Sequence, residues 1–533
     1  MRRFSSYGPV DTRYHYYAPR KGLIEDAYIR LTGENAMDVG HYITVWAPRQ
    51  CGKTWLMQQI LFRLKKEPKY HAIKINLEHL KYETDTAVII GTIAKEIGEG
   101  INKYLTGIDT QTKFQEIFRK SVLEKPLILF MDEFDALSEE AINAIVSAFR
   151  NIHITHMDEI DKTTSEKSYL LHGVALIGVR SVLGIENAKG SPFNIQRSVH
   201  IPNLTFEEVV DMFHWYERES DQPVEPAVIK KLYDETSGQP GLISWFGELL
   251  TEGFDDYRID GNRPINLRDF EIVYAAAIYA LPNNNILNLI SKAKEESNKP
   301  MVLKMFQTDQ KMEFKYDNPI INALYMNGIA EKVIADRTRY YVKFSSPFVQ
   351  KRLFNYFSDA YFNEMGTLVE PYVHLDDVIT DAELFIPGLL NLYQAYLDKN
   401  KEWLFKSAPR RTDMRIYEAI FHFNLYSYIN SFLDTSGGRV FPEFPTGNGK
   451  IDLIITYKNN RYGLELKSFT NLRDYKTALA QAAKYGKQLK LKEIFLIFFV
   501  QYIDGDKKKK YEKEYLDASS SVTVLPIFVT TGE

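Results

Sequence analysis

The sequence predicts a multidomain α/β protein: a parallel sheet with a helical lid, then a helical domain closed by a hairpin, then a second α/β domain. Three observations carry this expectation. The chain has 533 residues, and at about 100–200 residues per domain that implies three or four domains. Its first 200 residues alternate short apolar runs with amphipathic stretches, as strands and covering helices of a parallel sheet do. The same alternation returns after residue 405, beyond a long stretch of helical pattern.

Taken in order, His41–Trp46, Ala72–Asn76, Leu127–Met131 and Val174–Gly178 read as buried strands. Thr205-Phe-Glu-Glu208 offers a capping box, and Pro226 to Thr236 gives a further helix before Gly238, so a small helical lid follows the sheet. Several short helices then lead to a hairpin of Gly328–Ile334 and Tyr340–Phe344, the outline of a winged helix. The stretch from Asp359 to Lys401 is expected to hold connecting helices. From Arg411 the pattern gives a long amphipathic helix, two strands joined by Lys458-Asn-Asn-Arg461, a Gln-containing helix and the apolar strand Ile494–Val500. The expected boundaries are 1–200 for the sheet domain, 201–262 for the lid, 263–358 for the winged-helix-like domain, 359–404 for a connector and 405–533 for the last domain. Asp504-Gly-Asp-Lys-Lys-Lys-Lys510 reads as a solvated turn. The segment with His153, His156 and Asp158 reads as a polar loop, and no zinc site is expected there.

Composition narrows the function classes. Apolar residues at 45% can furnish several cores. No apolar run approaches the roughly 20 residues that cross a bilayer, and Met1-Arg-Arg-Phe-Ser-Ser-Tyr-Gly lacks a secretory apolar run. A cytoplasmic protein without a membrane partner is therefore expected. The single cysteine, Cys51, excludes an internal disulfide framework and a cysteine-rich zinc site. A net charge of −4 gives no global basic field, so nucleic acid would have to be met by local patches. The 34 Tyr and 32 Phe are scattered, which suits core packing better than a stacking platform.

Ala47-Pro-Arg-Gln-Cys-Gly-Lys-Thr54 lies between a predicted strand and the helical run Trp55–Leu64. A phosphate-binding loop needs backbone N–H groups, a lysine for the β- and γ-phosphates and a hydroxyl for Mg²⁺, all at a helix mouth. Gly52, Lys53 and Thr54 supply these parts, with Pro48, Arg49, Gln50 and Cys51 completing the cradle; Ala47 stands where a first glycine is usual. Further along, Leu127-Ile-Leu-Phe-Met-Asp-Glu-Phe-Asp135 is a buried strand ending in carboxylates. Asp132 is expected to hold the Mg²⁺ shell and Glu133 to orient or activate water, with Asp135 structural.

These residues resemble the STAND and archaeal-type branch of AAA-like P-loop ATPases, over roughly residues 14 to 250. The resemblance implies ATP and Mg²⁺ as cofactors. It implies that Tyr16-Tyr-Ala-Pro-Arg20 packs near adenine, that Arg180 in Gly178-Val-Arg180 senses the γ-phosphate, and that Pro240 in Gly238-Gln-Pro-Gly-Leu242 lies against the base. Arg150 and Arg197 are the candidates for an arginine acting in trans, and a homo-oligomer is among the possible states.

A second constellation lies near the end of the sequence. Phosphodiester hydrolysis needs a hard cation held by carboxylates. Gly449-Lys-Ile-Asp-Leu-Ile-Ile455 and Tyr462-Gly-Leu-Glu-Leu-Lys467 read as adjacent strands, and Glu465 and Lys467, two apart, face the same side beside Asp452. Lys467 can position or deprotonate the water. The arrangement resembles the PD-(D/E)xK nuclease superfamily over roughly residues 405 to 500, with Ile451 where the name-giving proline would stand. The resemblance implies a restriction-endonuclease-like fold, Asp452 and Glu465 as ligands of Mg²⁺ or Mn²⁺, Glu418 on the preceding core helix and Gln481 with Tyr485 on the following one; Glu443 is an alternative acid.

Both resemblances together imply an ATP-dependent or ATP-gated endonuclease acting on nucleic acid, with DNA favoured, in defence or mobile-element maintenance. The alternatives are an ATP-driven switch or scaffold whose last domain does not cut, and a DNA-remodelling ATPase.

Overall fold

A computed structural model of the chain describes residues 1–33, 41–163, 165–178, 198–306, 312–336, 338–376, 378–443, 452–468 and 472–532. It divides into two units, one of Met1–Ala276 with Met326–Gly328, the other of Ala277–Tyr325 with Ile329–Glu533.

The first unit is built on α1 (Lys21–Thr32), β1 (His41–Trp46), α2 (Lys53–Leu64), β2 (His71–Asn76), α3 (Thr86–Gly100), α4 (Gln111–Glu116), β3 (Leu127–Asp132), α5 (Glu139–Asp158), β4 (Leu171–Gly178) and β5 (Val199–His200). The strands form one sheet in the order β2-β3-β4-β1-β5, every pairing parallel. Such a sheet needs cover on both faces, and its sequence supplies apolar residues to both. In β3, Leu127, Leu129 and Met131 join the core with Ile90, Ile93 and Phe149. Ile128 and Phe130, one step out of phase, join the core with Leu31, Leu56 and Ile60.

The lid follows as α6 (Phe206–Ser220), α7 (Pro226–Thr236) and α8 (Pro240–Thr251), with α9 (Leu267–Tyr279) crossing the boundary between units. The expected capping box forms: Thr205 accepts from the Glu208 backbone, and Glu208 accepts from the Thr205 backbone. Pro226 and Pro240 sit in the first turns of their helices, where a missing N–H costs nothing.

The second unit holds α10 (Asn284–Ala293), α11 (Lys299–Met305), α12 (Pro319–Met326), β6 (Ala330–Asp336), β7 (Arg339–Phe344), α13 (Pro347–Phe362), α14 (Ile386–Leu404) and α15 (Glu418–Leu433). Strands β6 and β7 pair antiparallel as the expected hairpin. There follow β8 (Arg439–Glu443), β9 (Asp452–Tyr457), β10 (Asn460–Ser468), α16 (Leu472–Gln488), β11 (Glu493–Val500), α17 (Gly505–Tyr511), β12 (Tyr515–Asp517) and β13 (Val522–Thr530). They form a mixed sheet in the order β12-β13-β11-β10-β9-β8, antiparallel from β8 to β10 and parallel through β11 to β13. Beyond the short β12 the open side of β13 is closed by side chains: Phe528 N–H donates to Glu512 at 2.8 Å and Thr530 N–H to Gln394 at 2.7 Å. Pro526, on that same side, has no N–H to satisfy.

The fold corrects several local expectations. His153, His156 and Asp158 lie on α5, because His156 takes an apolar position in the series Ile142, Ile145, Phe149, Ile152. The lysine run is the helix α17, with Asp504 accepting from the Asp506 and Lys507 backbones as its cap. Helix α15 begins at Glu418 rather than near Arg411 and is buried on nearly all sides rather than amphipathic. The turn before β10 is shorter than four residues, with Lys458 at φ 52° absorbing the reversal. Strands β8, β12 and β13 were not anticipated. No helix among the described residues is long and apolar enough to cross a membrane.

Candidate functional site

Strand β1 delivers the chain to the loop of residues 47–52, and α2 leaves it. Gln50 and Gly52 adopt left-handed conformations, φ 56° and 87°. Lys53 and Thr54 open α2, where the helix dipole favours anions. The Lys53 ammonium donates to the carbonyls of Ala47 at 2.8 Å and Pro48 at 3.0 Å. Its side chain is buried, and desolvation lowers its pKa. The Thr54 hydroxyl donates to Asp132 Oδ2 at 3.2 Å, joining loop to strand end across 78 residues. Asp132 is 2% exposed and also meets the Lys74 ammonium at 2.7 Å. Glu133, held at φ 54°, has its pKa raised by burial and then by the Asp135 carboxylate. Asp135 packs under Gly178: a Cβ there would lie 2.3 Å from Asp135 Oδ1, so only glycine fits.

Beside the loop lies a largely apolar pocket lined by Tyr17, Arg20, Cys51, Gly52, Trp55 and Pro240, among others. The Tyr17 and Trp55 rings stand 5.6 Å apart. Arg20 is fixed by the carbonyls of Pro202 and Asn203, each at 2.9 Å, and by Glu208 at 3.3 Å. Two lid contacts at the loop escaped the sequence reading. Gln239 donates to the carbonyls of Arg49 at 3.1 Å and Gln50 at 3.4 Å. Gly241 comes so close to Gln50 that a Cβ would meet Gln50 Cβ at 2.6 Å. Lys74 was missed as well, since nothing local distinguishes it from a surface residue, and the pocket role of Trp55, named only as the start of the helix after the loop, was missed with it. Arg180 and Arg197 lie outside the described residues, and Arg150 is exposed on α5.

In the second unit, β10 carries Glu465 and Lys467 on one face. They are 1% and 2% exposed, with Lys467 Nζ 3.4 Å from Glu465 Oε1. Burying two charges costs several kcal/mol per ion unless they compensate each other. The register sets Asp452 of β9 directly opposite Glu465, and Glu443 of β8 opposite Asp452; the side chains of Asp452 and Glu443 lie outside the described residues. Glu418 is half-buried in the first turn of α15. One turn on is a residue the sequence reading missed: His422, fully buried, with neither ring nitrogen meeting a hydrogen-bond partner among the described residues. Burial, then the nearby Lys467 charge, lowers its pKa to about 3. No motif marks it; only its place four residues after Glu418 on one helix face could have. Gln481 is exposed on α16, while Tyr485 is buried. Among the described residues, no three His, Cys, Asp or Glu side chains converge as a ready metal cluster.

A five-stranded parallel sheet, a loop of this geometry at a helix mouth and an acidic strand end beside it define a P-loop ATPase fold. Residues 6–252 match the family model of an AAA-like domain, and this part of the chain is an AAA-like P-loop ATPase domain. The chain is similar to the Walker-type ATPase of Pyrococcus abyssi, with 14% identity, 66% of this chain and 99% of that one covered, and a TM-score of 0.43. It is similar to Cdc6p from Pyrobaculum aerophilum, with 14% identity, 67% and 97% covered, and a TM-score of 0.35. A third likeness is to Drosophila ORC bound to DNA, with 11% identity, 63% and 87% covered, and a TM-score of 0.36. No curated protein matches the chain.

Proposed function

We propose that the chain is an ATP-gated, metal-dependent nuclease acting on nucleic acid, with DNA the favoured substrate. The observation that carries the proposal is the enclosed Glu465–Lys467 pair on β10, set across from Asp452. A core strand gains nothing in stability from such a pair over apolar residues of similar volume.

In the first unit, ATP phosphates lie along the loop from Pro48 to Thr54, and the base enters the pocket between Tyr17, Trp55 and Pro240. Thr54 and Asp132, two hard oxygen donors in mutual contact, suit Mg²⁺. Glu133, whose pKa is raised, accepts the proton of the attacking water. In the second unit Asp452 and Glu465 would hold a divalent cation through their carboxylate oxygens, and that ion would polarise the scissile phosphate. Lys467 offsets the charge that develops there, and Glu418 supports the site from α15. Helices α10 to α12 with the β6–β7 hairpin serve as a winged-helix-like element for duplex contact. Self-association through the ATPase domain and a role in defence or mobile-element maintenance complete the reading.

A second reading draws on the same enclosure: a pair only 1% and 2% exposed also suits an ATP-driven switch whose last domain binds without cutting. Cleavage of linear and circular DNA with Mg²⁺ or Mn²⁺, with and without ATP, separates the two in wild type, Lys53→Ala and Lys467→Ala. The nuclease reading expects cutting that both substitutions abolish. Cutting lost only in Lys467→Ala would make ATP dispensable for the chemistry, and no cutting by any form under any condition would leave the switch.

A further inference from the structure

Strand β2 carries a lysine in its middle that the proposed chemistry leaves without a task. Ile73 and Ile75 are buried in the core with Ile90 and Ile93, so Lys74, between them, faces the other side of the sheet. Ala72 shares that side and packs with Leu56 and Ile60 of α2. The register sets Asn76 opposite Asp132 and Lys74 opposite Phe130, two residues or about 7 Å back along the strand. The lysine stem crosses that diagonal, and its ammonium meets Asp132 Oδ2 at 2.7 Å. The Lys74 side chain is 22% exposed, so an incoming ion reaches the pair from the lysine's side.

Asp132 is fully engaged by this contact. Its Oδ1 accepts from the Glu133 N–H at 3.2 Å, and its Oδ2 accepts from the Thr54 hydroxyl at 3.2 Å as well as from Lys74. A carboxylate oxygen offers about two lone-pair directions, and on Oδ2 Thr54 and Lys74 take both. The Thr54 bond persists when the hydroxyl's own lone pairs turn to a metal. The direction held by Lys74 is then the one that a divalent ion, or a water carried by it, needs. Lys53 does not compete for it, since its ammonium is occupied with the carbonyls of Ala47 and Pro48.

We propose that Lys74 is a positioning residue of the ATP site that contests Asp132 with Mg²⁺: it neutralises the carboxylate until metal and nucleotide arrive together, and then gives the oxygen up. The inference rests on the nucleotide reading of the loop and adds a rule of entry to it. A divalent ion alone is held off by the ammonium, and the charge of the phosphates tips the exchange in its favour.

The test measures the affinity of the full chain for ADP, which is not turned over, by calorimetry with EDTA and with saturating Mg²⁺. The ratio of the two affinities is the coupling between metal and nucleotide. In Lys74→Met the bare Asp132 carboxylate repels phosphates when metal is absent, and no ammonium opposes the ion when it is present. The coupling is therefore expected to rise about tenfold over wild type, to stay at the wild-type value in Lys74→Arg, and to lose the rise when Asp132→Asn is added to Lys74→Met. A lysine that merely steadied β2 would shift the melt and both affinities alike and leave their ratio unmoved. Mn²⁺ titration without nucleotide, read by the electron paramagnetic resonance of the free ion, is expected to show Lys74→Met holding the ion about tenfold more tightly than wild type. Acetylation of Lys74 in wild type, mapped by mass spectrometry, needs no variant: its rate is expected to rise severalfold with Mg²⁺ and ADP, and not with ADP and EDTA. Equal coupling in wild type and Lys74→Met, a rise that survives Asp132→Asn, or an acetylation rate unmoved by Mg²⁺ and ADP would each overturn the proposal. ADP that binds no form of the chain under either condition would end the nucleotide reading instead, and the Mn²⁺ titration would still decide whether Lys74 contests Asp132.

Discussion

The Gln239 carboxamide donates to the Arg49 carbonyl at 3.1 Å, so the turn that opens α8 is held to the phosphate-type loop by a contact between residues 190 apart in sequence. Its oxygen meanwhile accepts from Leu242 N–H, capping the same helix. One side chain thus fixes the lid helix and ties it to the loop. Gln239→Leu removes both roles. A neutral hydrogen bond contributes about 1 kcal/mol net, so ATP affinity measured by calorimetry is expected to fall about fivefold, with the melting temperature lowered by no more than a few degrees.

Gly241 gives a steric version of the same test. Alanine there forces a Cβ to within 2.6 Å of Gln50 Cβ, which a rigid stem cannot avoid, whereas Gly261 has nothing within 4 Å. Gly241→Ala is expected to push the lid off the loop and weaken ATP binding by roughly an order of magnitude, about 1.4 kcal/mol. Gly261→Ala is expected to leave it unchanged. Equal affinities for the two variants would show that the lid does not bear on the nucleotide.

Acid should loosen the first unit. Burial lowers the pKa of His156 to about 4 and of His172 to about 3. Each ring meets a backbone carbonyl through Nε2, Tyr169 O at 2.9 Å and Thr32 O at 2.8 Å, and each Nδ1 has no partner among the described residues. Protonation would therefore place an N–H against nothing. With folded pKa values below the unfolded value of about 6.5, the unfolded chain binds more protons between them. Stability is then full above pH 6.5 and falls as pH drops toward 4. Thermal melts from pH 7 to 4.5 are expected to show this fall. His172→Gln, which keeps an N–H donor and cannot titrate, is expected to flatten it.

The Glu465–Lys467 pair separates a stability role from a chemical one. Glu465→Gln leaves a buried ammonium without its counter-charge and is expected to cost about 3 kcal/mol. The double substitution Glu465→Leu with Lys467→Met removes both charges and is expected to melt at or above wild type while losing all DNA cleavage. A double variant that still cuts would remove the proposed nuclease chemistry from β10.

The nucleotide half of the protein was legible because its signals are local. Backbone geometry, an ammonium and a hydroxyl must follow one another within a few residues, so Gly52, Lys53 and Thr54 are adjacent in sequence. The capping box of Thr205 and Glu208 is local for the same reason. The hold of Gln239 on the Arg49 carbonyl joins residues 190 apart, and no local pattern could show it. His156 misled because a histidine in an apolar helical position reads as polar punctuation until burial is known. Asp504 to Lys510 misled because charge was weighed above helix propensity, although lysine is a good helix former and Asp504 a good cap. Helix α15 has almost no polar face, so no amphipathic period could mark its start.

The far edge of the second sheet also limits how two copies can meet. A bare strand flank invites another chain to zip onto it. Here β12 spans only Tyr515–Asp517, and past it Glu512, Gln394 and the ring of Pro526 leave no regular row of donors for an incoming backbone. A second copy meeting this flank must therefore recognise it through side chains, where a single substitution can rewire the contact, and not through a main-chain ladder that any sequence can extend.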